Sequence, residues 1–151
     1  MKNVRISKGA LVLVCDGGRA ILLRNEGDAN AINLVVVEHL ADGAGRTSSL
    51  GSDRPGKIGT PSARTRRAAF DEADLHAEAE RRFLSQVATN VAHRCDEDKI
   101  PGIVVISPPR VLGLVRELLP EKTKQLVLAE IAKDLGKKPV ASIEDYLSRL
   151  G

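Results

Sequence analysis

"ALVLVCDGGRAILLRNE", residues 10–26, is the stretch on which the fold turns. Leu11 to Cys15 is an unbroken apolar run of strand length, closed by a turn at Gly17-Gly18. "RAILLRNE" follows after a link of two or three residues, too short for anything but an antiparallel return. "AINLVVVEHL" supplies a third strand ending near Leu40, so the chain opens with a three-stranded meander.

Beyond the meander the composition shifts. Residues 42–61 hold five glycines and two prolines with almost no apolar side chains. A loop of that length inside a small domain is functional or disordered, and it is expected to be mobile. Pro61 and Ser62 then mark a helix start, with Ser62 as N-cap or first-turn residue. The helix is expected over about Ala63 to Cys95. Its apolar stripe is Ala69, Ala73, Leu84, Val87, Ala88 and Val91, and His76 and Glu80 fall on the same face. Asp96 to Lys99 reads as a solvated turn. "GIVVISPPR" is a buried strand over Ile103 to Ile106, stopped by Pro108-Pro109. A short helix ends before Pro120, Lys122 to Lys124 is a polar link, and "QLVLAEIA" is the last strand. "VASIEDYLSRL" closes the chain as an amphipathic helix.

The order β-β-β-α-β-α-β-α implies an α/β fold: a single domain over residues 1–151 with a mixed five-stranded sheet in a ribonuclease-H-like layout. The later strands should run parallel to the first, through right-handed crossovers.

Composition narrows the function. Phe70, Phe83 and Tyr146 are the whole aromatic set, which argues against a base-stacking platform for single strands. Net charge is only +3, but residues 42–67 contain Arg46, Arg54, Lys57, Arg64, Arg66 and Arg67 against Asp42 and Asp53. Six basic and two acidic residues give that segment +4, so the protein's positive charge is concentrated there. Glycines let backbone approach a ligand, and arginines pair with phosphate in a bidentate way. The segment therefore reads as an RNA- or phosphate-binding loop, with a solvated tether as the plainer alternative. Neither GxxxxGK[ST] nor GxGxxG occurs.

Three smaller features are candidates. Asp16, at the end of the first strand, would hold Mg²⁺ in a ribonuclease-H-like nuclease, with Glu80 as a helical partner. The fourth strand ends in "SPPR", without the third acid. No metal is expected, and Asp16 also reads as a turn residue capping backbone N–H groups. Asp16, His76 and Glu80 are the candidates for an acid–base set, unless the helix overhangs the sheet and both helical groups are wet. Arg110, where the fourth strand feeds a helix, marks an anion position or a rigid Pro-Pro turn. Cys15 and Cys95 read as buried thiols, with a disulfide or metal pair as the alternative. The first residues lack a signal-peptide pattern and no window is apolar enough to span a membrane, so a cytoplasmic protein is expected.

"LVLVCDGGRAILLRNEGD", "GSDRPGK", "VVISPPRVLGLVRELL" and "AEIAKDLGKKPVASIEDYL" together resemble the bacterial host-attachment protein family. The family is named for proteins required for attachment to host cells in plant-associated bacteria. It is similar in turn to the central domain of archaeal–eukaryotic peptide-chain release factors, with a meander, a long loop and a long helix. In the release factors the loop carries Gly-Gly-Gln before a helix beginning Ser-Ala. Here "GTPSARTRR" puts Gly59, Thr60 and Pro61 in that place. Pro61 has neither an N–H nor a side-chain amide, so release-factor hydrolysis is not implied. The basic helix start is kept in Arg64, Arg66 and Arg67.

The resemblance implies a module for structured RNA or the ribosome, without a cofactor. Its phosphate contacts would be Arg54, Lys57, Arg64, Arg66, Arg67 and Arg110, and its effect on attachment would be indirect. The alternatives are a protein-interaction factor in attachment signalling and a small hydrolase acting on RNA, a tRNA ester or a nucleotide.

Overall fold

The computed structural model describes residues 5–41 and 62–150, with side chains from residue 74 in the second stretch. The loop expected at 42–61 lies outside the described residues, and so do Arg54, Lys57 and the side chains of Arg64, Arg66 and Arg67.

Strands β1 (Leu11–Cys15), β2 (Arg19–Asn25) and β3 (Leu34–Ala41) form the meander. Helix α1 (Ser62–Asp98) leads to β4 (Ile103–Ser107), followed by α2 (Pro109–Leu118), α3 (Glu121–Lys124), β5 (Val127–Ala132) and α4 (Val140–Leu150). The five strands make one sheet in the order β3-β2-β1-β4-β5. β1 pairs with β2 and β2 with β3 antiparallel, whereas β4 is parallel to β1 and β5 parallel to β4. This is the mixed α/β sheet expected from the element order.

Alternation along the strands builds two cores. Leu11, Leu13 and Cys15 of β1 and Ile103 and Val105 of β4 meet Phe83, Leu84, Val87, Ala88 and Val91 of α1 and Val111, Leu112 and Val115 of α2. Val12, Val14, Val104 and Ile106 face the other way, onto Ile143 and Leu147 of α4. Every residue of β1 and β4 is buried because both faces of the central sheet are covered. Leu84 is 0% exposed at the middle of the α1 contact. Leu84→Ala is expected to destabilise the fold by about 2–5 kcal/mol in a denaturant titration. A loss below about 0.5 kcal/mol, the usual scale of an exposed-site change, would contradict this packing.

Three elements depart from the sequence expectation. α1 runs to Asp98 and absorbs the residues read as a turn. Asp98 accepts from Arg24 at 2.7 Å and lies 3.6 Å from Arg94, one helical turn back. Lys99 then takes a left-handed φ of 54°, and the Ile100 N–H donates to the Cys95 carbonyl at 3.2 Å. That bond, with Ile100 and Cys95 both buried, is the Schellman ending usually built on glycine. The Lys122–Lys124 link is a helical turn, with the Lys124 N–H donating to the Pro120 carbonyl at 2.9 Å. β5 accordingly starts at Val127, two residues later than expected.

Both cysteines are free and buried. The Cys15 thiol lies 3.1 Å from the Ser107 hydroxyl, and burial pushes its pKa up to about 11. Cys95 is raised to about 11 by burial and by the nearby Asp96 and Asp98. Alkylation at about pH 8 should therefore be slow in the native protein and complete in denaturant, because the thiolate is the reactive form. Rapid native labelling of Cys15 would contradict this burial.

Candidate nucleic-acid interface

The C-terminal ends of β1 and β4 lie side by side. The β1–β2 turn and the start of α2 therefore flank one spot, and α1 passes over it. A cleft of about 440 Å³ opens there, lined by Gly17, Gly18, His76, Ala77, Glu80 and Arg110. His76, Glu80 and Arg110 are brought together as far as lining one cleft.

Asp16 has a different place. Its Oδ1 accepts from the backbone N–H groups of Gly18 and Arg19, both at 2.9 Å. The carboxylate thus holds the β1–β2 turn, the capping role open to an aspartate before glycine. Among the described residues no hydrogen bond joins Asp16, His76 and Glu80. Also among them, no group of three or more His, Cys, Asp and Glu side chains is placed to hold a metal ion.

Glu80 is held from two sides. Arg110 donates through Nη1 and Nη2 to its two carboxylate oxygens, each at 2.6 Å. This is the bidentate fork that suits guanidinium to carboxylate. The Glu80 carboxylate also presses on Gly17. A Cβ at residue 17 would overlap Glu80 Oε2 and would lie 2.9 Å from its Cδ. Glycine at 17 is therefore what lets the carboxylate approach the turn. The pairing with Glu80 holds the Arg110 pKa above its ordinary value. The Glu80 side chain is 17% exposed and that of Arg110 70%.

Of the two readings open for His76, the structure has the one in which the helix overhangs the sheet and the imidazole is wet. Asp74, Leu75, His76, Ala77 and Glu78 are all exposed. Five successive residues make more than a full helical turn, so among the described residues no side of α1 is covered there. The periodicity continues, but β1 and β4 have ended at Cys15 and Ser107, and no sheet lies beneath. The Glu80–Arg110 pair itself spans 30 residues, and nothing in local spacing announces it.

Among the described residues no helix is long and apolar enough to cross a membrane.

Fold and cleft define an α/β domain with one long helix reaching past its sheet. The family described as "Protein required for attachment to host cells" matches residues 11–147, and the chain belongs to that family. Solved structures similar to it include an archaeal translation termination factor, aRF1, at TM-score 0.49 and 13% identity over 93% of this chain and 36% of that one. S. cerevisiae Dom34, described as a translation termination-like factor involved in RNA quality control pathways and interacting with Hbs1, is similar at TM-score 0.41 and 10% identity. That likeness covers 94% of this chain and 36% of Dom34. The chain thus spans little more than a third of either protein. No curated protein matches it.

Proposed function

We propose that this host-attachment family protein binds structured RNA, on the ribosome or tRNA, through its basic segment, and that it acts on attachment indirectly from the cytoplasm. The observation that carries the reading is the charge distribution. Residues 42–67 hold +4 of a chain whose net charge is +3, and they run directly into α1. Further along α1, residues 74–78 are exposed. Arg54, Lys57, Arg64, Arg66 and Arg67 make the phosphate contacts in this reading. Hydrolysis is not part of it, because Pro61 replaces the residue whose N–H and amide the release-factor route needs.

The test is a fluorescence-anisotropy titration of tRNA with wild type and with a variant carrying alanine at those five positions. Wild type binds and the variant loses affinity. Equal affinity of the two would overturn the reading. A specific protein partner retained while RNA is ignored would replace it with the attachment-signalling alternative.

A further inference from the structure

Glu80 marks a boundary along α1. On its C-terminal side Phe83, Leu84, Val87, Ala88 and Val91 are buried against the sheet. On its N-terminal side residues 74–78 are exposed all round. Between them Glu80 ties α1 to two other elements at once, by its fork with Arg110 at the start of α2 and by its seat on Gly17 in the β1–β2 turn. The helix backbone continues from there to Ser62, a further 18 residues or about 27 Å at 1.5 Å per residue. A small change of angle at Glu80 is magnified over that length.

We infer that the Glu80–Arg110 ion pair, seated on Gly17, is the joint that sets the direction of α1 on the N-terminal side of Glu80 and hence where the basic segment meets RNA. The second half of this statement rests on the RNA-binding reading above, and the first does not. Glu80 and Arg110 are positioning residues here. Both terminal nitrogens of Arg110 donate to Glu80, so its loss removes a brace and leaves the phosphate contacts of the basic segment in place. Gly17 belongs to the joint because any side chain there displaces the carboxylate. Its backbone dihedrals are not in the left-handed region, so alanine fits the turn itself.

The experiment uses the full chain with spin labels on cysteines introduced at Asp74 and Lys137, both exposed, while Cys15 and Cys95 stay buried. Distance distributions are measured for the parent and for Glu80→Gln, Arg110→Ala and Gly17→Ala, beside tRNA affinity over a salt series. All three changes should broaden the distribution. Gly17→Ala should do so with both charges still present. Affinity should fall about fivefold in each, the scale of one good ion pair, and the double change at Glu80 and Arg110 should be no worse than either alone. The salt slope should stay that of the parent.

Distributions as narrow as the parent's in all three variants would overturn the joint, whatever RNA does. A salt slope reduced by about 0.7–0.9 in Arg110→Ala, with affinity kept or raised in Glu80→Gln, would make Arg110 a direct phosphate contact and overturn it too. If the parent ignores tRNA, the RNA reading fails by itself and the distance distributions still decide the joint.

Discussion

Asn25→Ala is expected to destabilise the protein by about 3–5 kcal/mol, although the change removes only a short polar side chain. Asn25 is 0% exposed at the end of β2. Its Nδ2 donates to the carbonyls of Ile6 at 2.7 Å, Ser7 at 3.3 Å and Asp28 at 3.2 Å. Its Oδ1 accepts from the N–H groups of Gly27 and Asn33, both at 2.9 Å. One side chain therefore ties the segment before β1 to both ends of the β2–β3 connection. Alanine would leave the Ile6 carbonyl without a partner in a buried spot and the other four groups without one at half-buried positions, and each one stranded costs about 1–3 kcal/mol, less where water can enter. Asn25→Asp keeps the acceptor and loses all three donated bonds, so it should also destabilise. Urea unfolding of the three proteins checks this, and a loss below about 1 kcal/mol in Asn25→Ala would mean that the side chain is not the tie described.

Affinity for tRNA should fall about 20- to 500-fold between 50 and 200 mM monovalent salt, the range given by three to five phosphate contacts at about 0.7–0.9 in log–log slope each. The number of contacts is what the slope counts, so the five basic positions are open to titration one at a time. Each of Arg54, Lys57, Arg64, Arg66 and Arg67 that touches a phosphate should lower the slope by about one such increment when changed to alanine. An affinity flat in salt would contradict a phosphate-based interface and point toward a protein partner.

Much of the architecture was legible because the apolar runs are short, separate and bounded. Leu11–Cys15 and Ile103–Ile106 read as buried strands because both lie between helical layers. The Asp16-Gly17-Gly18 link allowed only an antiparallel return. The boundaries that went astray had local causes. Asp96 to Lys99 looks like a solvated turn, but Asp98 is drawn into the helix end by Arg24, a residue 74 positions away. Lys99 ends α1 in a conformation that sequence assigns to glycine. At the cleft, the presence of Glu80 and Arg110 was readable and their fork was not, since it joins two helices across 30 residues of sequence. The exposure of His76 stood in the sequence as one of two alternatives, because helical periodicity shows which face an apolar stripe would bury and not where the sheet under that face stops.

Co-sedimentation of the purified protein with ribosomes over a salt series tests the central claim most directly. Wild type should pellet with ribosomes at low salt and be released as salt rises, and the variant with alanine at Arg54, Lys57, Arg64, Arg66 and Arg67 should stay in the supernatant. Pelleting of both proteins to the same extent, or of neither, would contradict the assignment of RNA binding to the basic segment.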